Sequence, residues 1–166
     1  MFSYKIVILG DFGVGKTSLI RRFVDNTFSE DYLSTIGATI SKKNIVSSDG
    51  THSIMMIWDT EGRTEHNSFL KQYLNGSKAY VIVADSTRQD TVASLNHHIK
   101  MCQSIILDAP IYVAINKSDL ESDFMIQRDE VKALSPYIRH VYLTSAKTGD
   151  TVNTIFNDIN TAVVSG

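Results

Sequence analysis

Residues Gly10-Asp11-Phe12-Gly13-Val14-Gly15-Lys16-Thr17 read G-x-x-x-x-G-K-T, and their flanks restrict the chain to few architectures. Before them runs Tyr4-Lys5-Ile6-Val7-Ile8-Leu9, a short apolar run expected to be a buried strand. After them, Ser18-Leu19-Ile20-Arg21-Arg22-Phe23-Val24 has the apolar spacing of a helix. A strand, a glycine-rich turn and a helix N-terminus together make an anion site, because consecutive backbone N–H groups and the helix dipole point at one place. The candidate phosphate-binding residues are therefore Asp11, Phe12, Gly13, Val14, Gly15, Lys16, Thr17 and Ser18. Lys16 supplies a point charge for the outer phosphates, and the Thr17 hydroxyl a ligand for Mg2+. The competing reading is a chance glycine-rich turn, which the strand before and the helix after disfavour.

At 166 residues, one domain spanning 1–166 is expected, long enough to bury about two-thirds of its unfolded surface. The chain is 43% hydrophobic and 20% charged, which excludes disorder. Its net charge is −2 with no dense basic run, so nucleic acid is not an expected partner. The lone Cys102 excludes an internal disulfide and reads as a small buried residue in a helix. No apolar run approaches the roughly 20 residues that span a bilayer, and no signal peptide is expected ahead of the first strand. These features suit a cytoplasmic monomer.

Downstream, 25–37 is a long polar stretch without a clear period, the kind of loop that is functional or disordered. Residues 38–46 and 54–58 are expected to be antiparallel strands joined by the Ser48-Asp49-Gly50 turn, with Lys42 and Lys43 marking a sheet edge. Further strands are expected at 79–85, 111–115 and 140–143, and helices at 91–106, 127–134 and 151–164. The alternation implies an α/β fold with a mostly parallel sheet, whose ligands bind at the strands' carboxyl ends. His97 and His98, adjacent on a helix, cannot both face one metal and are expected to be solvated or partly packed.

Asp59 closes the 54–58 strand, where a carboxylate can hold a magnesium shell; the alternative is a helix N-cap. Gly62 lets a backbone N–H swing toward a terminal phosphate. Asn116-Lys117-Ser118-Asp119 follows another strand. A carboxylate at 119 can accept from the two adjacent donors of guanine, N1–H and the 2-amino group, which adenine does not offer. Asn116 can meet the purine edge or tie loops together, and the Lys117 stem can lie over the ring. Ser145, Ala146 and Lys147 follow the next strand, placed for a backbone N–H to meet the guanine carbonyl.

With these motifs in this order, the chain resembles the small GTPases of the Ras superfamily, in their Rab-like branch, from Lys5 to about Val164. The resemblance implies a P-loop NTPase fold: a six-stranded sheet with one antiparallel strand and about five helices. It implies a GTP/GDP switch with Mg2+ held by Thr17, Thr35 and Asp59, Phe28 against the guanine edge, and Tyr32 over the phosphates. Residues 26–37 and roughly 59–73 would be the switches read by an exchange factor, an activating protein and an effector. Ile36, Gly37, Ile57, Trp58, Phe69 and Tyr73 would contribute to the effector patch, although Ile57 reads better as core, and Trp58 and Phe69 fit core or patch equally.

The chain departs from the family's pattern in three places. Glu61 and Arg63 stand where Asp-Thr-Ala-Gly-Gln has alanine and glutamine. Arginine accepts no hydrogen bond, so it cannot orient the attacking water as that glutamine does, and slow intrinsic hydrolysis is expected. One alternative is a GTP-binding interaction module with almost no hydrolysis. Another keeps catalysis, with Arg63 itself stabilising charge on the phosphates and Glu61 positioning water, so that the catalytic candidates are Lys16, Thr35, Gly62 and Arg63. Phe12 replaces a small residue, its ring either crowding the γ-phosphate or turned outward. No C-terminal cysteine offers a lipid anchor, so peripheral membrane association would need a partner or a missing tail. A small-molecule kinase shares the phosphate loop but leaves Asn116-Lys117-Ser118-Asp119 unexplained.

Overall fold

The structure is a computed structural model describing residues 2–29, 38–60 and 68–166. In chain order the elements are β1 (Phe2–Gly10), α1 (Lys16–Asp25), β2 (Ala38–Val46), β3 (His52–Thr60), α2 (Ser68–Leu74) and β4 (Ala79–Asp85). They continue with α3 (Gln89–Ala93), α4 (Leu95–Ile105), β5 (Ile111–Asn116), α5 (Arg128–Lys132), β6 (Ile138–Leu143) and α6 (Val152–Ser165).

The strands form one six-stranded sheet in the order β2-β3-β1-β4-β5-β6. Every neighbouring pair is parallel except β2 with β3. The period-2 alternation of β1 splits the core in two. Ile6 and Ile8 face Leu19, Phe23, Ile155 and Phe156 of α1 and α6. Val7 and Leu9 face Leu74, Leu95, Ile99 and Cys102 of α2 and α4. Phe23 stacks on Phe156 with ring centroids 4.4 Å apart, and burying each such side chain is worth about 2 kcal/mol. Cys102 is buried, as its helical setting predicts. The edge position of β2 agrees with its lysines; Lys42 is exposed there, and the turn from Ser47 to Thr51 is closed by backbone hydrogen bonds.

Two expectations are corrected. The helix expected at 91–106 begins earlier, at Gln89, and is interrupted at Ser94. The Ser94 hydroxyl donates to the Asp90 carbonyl at 2.9 Å, onto the oxygen that also accepts the Ser94 amide, and this back-bonding perturbs the turn. His98 is buried rather than solvated or partly packed, whereas His97 is exposed. Counting α3 and α4 as one interrupted helix leaves five helices among the described residues.

Parallel register delivers the site. Ile8 lies beside Asp59, Gly10 beside Val83, and Asp85 beside Asn116. The carboxyl ends of β1, β3, β4 and β5 therefore share one rim of the sheet.

Candidate nucleotide site

The backbone carbonyls of the loop between β1 and α1 are held by side chains. Lys16 is 7% exposed, and its ammonium donates to the Gly10 carbonyl at 2.8 Å and to the Asp11 carbonyl at 3.0 Å. The Arg88 guanidinium donates to the Phe12 carbonyl at 2.7 Å, Lys117 Nζ to the Gly13 carbonyl at 3.0 Å, and Asn116 Nδ2 to the Val14 carbonyl at 3.0 Å. Five consecutive carbonyls thus each accept from a side chain. A trans peptide is planar, so its N–H points opposite to its C=O, and there is no cis peptide among the described residues. Fixing carbonyls 10–14 therefore fixes the directions of amides 11–15. Gly13 and Gly15 sit at φ 74° and 99°, in the region that favours glycine. A Cβ on Gly15 would meet Asn116 Nδ2 at 2.3 Å, so only glycine fits against this brace.

The metal candidates converge. The Thr17 hydroxyl donates to Asp59 Oδ2 at 2.5 Å, and Asp59 is 2% exposed. The neighbouring Thr60 hydroxyl donates to the Ile8 carbonyl, anchoring the end of β3 to β1. One hydroxyl and one carboxylate form a hard-oxygen donor set of the size Mg2+ takes when phosphates and waters complete its octahedron. The cradle and this pair fit a magnesium-bound polyphosphate.

The base-side residues interlock. Asn116 ties loops together: besides Val14, its Oδ1 accepts from the Thr144 hydroxyl at 3.2 Å and the Ala146 amide at 3.3 Å. Lys117 reaches from a left-handed backbone (φ 63°) to the Gly13 carbonyl and to Asp85 Oδ2 at 2.8 Å. Asp119 is exposed, and its Oδ1 accepts from the Ser145 hydroxyl at 2.8 Å. The Ser145 amide donates to the Asp150 carbonyl. Of the other candidates, Ser18 lies in the first turn of α1, and Phe28 packs against the α1–α6 core. Phe12 is 38% exposed. Tyr32, Thr35, Ile36, Gly37, Glu61, Gly62 and Arg63 lie outside the described residues, as does the Phe69 side chain. Ile57 is fully buried; Trp58 is partly buried, 5.8 Å from the Tyr73 ring, with Lys5 Nζ 3.9 Å over its face.

Several contributors escape a motif-based reading. Asp85, 1% exposed, accepts from Lys117, from Arg88 Nε at 3.2 Å, and from the Thr87 amide and hydroxyl. Burial pushes its carboxyl up, but the hydrogen bonds from Lys117 and Thr87 win and hold it below the ordinary carboxylate value. Its place at the end of an apolar strand, like that of Asp59, was the available signal. His98 Nε2 lies 2.8 Å from Asp11 Oδ1. Arg22 donates to the Ala146 carbonyl at 2.8 Å and the Lys147 carbonyl at 2.7 Å, joining α1 to the 145–147 loop. Nothing in local sequence marks His98 or Arg22, because their partners are 87 and 124 or more residues away.

Comparison with known proteins agrees with this geometry. Residues 5–165 match the model of the Ras family. The chain belongs to the Ras family. It is 31% identical over 163 residues to human Ras-related protein Rab-22A, covering 97% of this chain and 84% of that protein. Mouse Ras-related protein Rab-12 is 33% identical over 153 residues, 92% of this chain and 63% of that protein. This Ras-family member is thus a small GTPase of the Rab branch, a GTP-binding molecular switch in a group associated with vesicle traffic. Guanine nucleotide and Mg2+ are the general ligands of such proteins, and exchange factors, activating proteins and effectors their general partners. No helix among the described residues is long and apolar enough to cross a membrane.

Proposed function

We propose that residues 1–166 act as one G domain that binds GTP and GDP with Mg2+ and hydrolyses GTP slowly when alone. The observation that carries this reading is the set of five successive carbonyls held by Lys16, Arg88, Lys117 and Asn116, which fixes the orientation of the amides that follow them. In this reading the amides of Gly13, Val14 and Gly15, turned away from Arg88, Lys117 and Asn116, receive the phosphates together with Lys16, while Thr17 and Asp59 hold Mg2+ and Thr35 completes its shell. The bound metal would neutralise phosphate charge. Asp119 selects guanine through paired acceptors, while Asn116 and Lys117 hold the base loop against the phosphate loop. Phe28, Tyr32, Ser145, Ala146 and Lys147 enclose the base and phosphates. Gly62 senses the terminal phosphate. Exchange factor, activating protein and effector meet the chain at 26–37 and 59–73, with Trp58 and Tyr73 as aromatic anchors for the last.

The slow rate rests on Arg63, which has no acceptor with which to orient water. An activating protein that brings its own glutamine and arginine would restore turnover. The same residue supports the alternative of an interaction module that stays loaded with GTP. Nucleotide analysis of the purified protein, followed by GTP turnover with Mg2+ present, separates these readings. Bound guanosine nucleotide with slow conversion to GDP supports the switch, and GTP persisting overnight supports the module. No preference for guanosine over adenosine nucleotides, or affinity unaffected by Lys16→Ala and Asp119→Ala, would sink both.

A further inference from the structure

We propose that Arg88 is a positioning residue for nucleotide retention, acting through the peptide between Phe12 and Gly13. This rests on the nucleotide-binding reading above. Arg88 lies just before α3, outside every nucleotide motif of the sequence. Its Nη2 donates to the Phe12 carbonyl at 2.7 Å, and its Nε pairs with Asp85 Oδ2 at 3.2 Å. Asp85 is itself almost wholly buried and fixed by Thr87 and Lys117. The guanidinium is therefore held from behind by a carboxylate that cannot move, and it delivers a second N–H in a fixed fork to the loop.

The peptide it grips is one of two in this loop that a following glycine leaves able to turn, the other being the Val14–Gly15 peptide that Asn116 holds. A peptide plane rotates through ψ of the residue before it and φ of the residue after, and that second residue is Gly13, at φ 74°. Glycine tolerates either sign of φ, so no Cβ resists a flip of this plane. A flip would carry the Phe12 carbonyl to the side where the phosphates are received and withdraw the Gly13 amide. It would exchange one donor for one acceptor against a polyanion. Lys117 and Asn116 secure the next two planes through the Gly13 and Val14 carbonyls, and Lys16 the two before. Arg88 closes the remaining gap in the series.

The brace acts on phosphate, not on the base, and that separates it from a general role in folding. Arg88 is 39% exposed in its side chain, so truncation leaves the cores untouched. The test compares wild type, Arg88→Ala and Arg88→Lys by release of fluorescent GDP, by GMP competition, and by the thermal midpoint of the same samples. Arg88→Ala should release GDP about tenfold faster, the equivalent of one charge-assisted hydrogen bond. Its affinity for GMP, which has one phosphate, should fall by less than about twofold on the same scale. Arg88→Lys should lie between, because one ammonium cannot serve the carbonyl and Asp85 in the same fork. Unchanged GDP release in Arg88→Ala, or GDP and GMP affinities falling together with the thermal midpoint, overturns the proposal. A wild-type protein that binds no guanosine nucleotide refutes the underlying functional reading instead.

Discussion

Truncating Asn116 to alanine removes a side chain that joins three loops. Asn116 is 2% exposed. Its amide nitrogen donates to the Val14 carbonyl, and its oxygen accepts from the Thr144 hydroxyl and the Ala146 amide, all between 3.0 and 3.3 Å. At about 1 kcal/mol net for each bond, Asn116→Ala costs about 3 kcal/mol. If that cost falls on the bound arrangement of the loops, it corresponds to roughly a 100-fold faster release of GDP. Thr144→Val, nearly isosteric at a fully buried position, removes one of the three bonds and should speed release about fivefold. Because Thr144 acts through Asn116, the double variant should release GDP no faster than Asn116→Ala alone. Stopped-flow release of a fluorescent GDP measures all four proteins. A double variant faster than Asn116→Ala by the full Thr144→Val factor would show that the two residues work independently. Release from Asn116→Ala within about twofold of wild type would refute the whole account of this residue.

Three further outcomes follow from the site. Arg63→Gln should raise single-turnover GTP hydrolysis, since glutamine can accept from and orient water; an unchanged rate refutes the assignment of slowness to Arg63. Asp119→Ala should abolish the preference for GTP over ATP in competition binding while leaving the fold intact, because Asp119 is exposed; retained selectivity rules out the carboxylate as the base reader. The Asp85 carboxyl lies below its ordinary value of 3.8 in the folded chain, so its stabilisation is present above that value and is lost as pH falls through the folded one. Lys117→Met removes a major hydrogen bond that lowers it, leaving burial to push it up. The acid limb of stability, followed by denaturant titration from pH 3 to 7, should therefore move to higher pH in that variant. An identical acid limb would show that the pair is not coupled.

Most strands were legible as short apolar runs, β2 instead from its pairing across the Ser48-Asp49-Gly50 turn, and the parallel sheet follows from their alternation with helices. Asp59, Asn116 and Asp119 stood out as candidates because they end or follow such a run, and Lys16 and Thr17 because they close the glycine-rich motif. The break at Ser94 was not, since a serine in a helical period gives no sign of whether its hydroxyl turns back on the previous turn. His98 and Arg88 were missed because their roles come from packing α3 and α4 beside the loop before α1. Spacing along a helix reports its own faces, not what another element brings to them. Ile57 could be assigned to the core from strand alternation alone. Trp58 could not, and it is partly buried, packed between Lys5 and Tyr73.

The grips on Gly13 and Val14 come from residues 104 and 102 positions further along the chain. During synthesis, β1 and α1 leave the ribosome long before Asn116 and Lys117 exist. A nascent chain ending between α3 and β5 carries the whole glycine-rich motif yet lacks two of the five side-chain hydrogen bonds to its carbonyls. A phosphate cradle written near the start of the chain is therefore completed only once synthesis has passed Lys117.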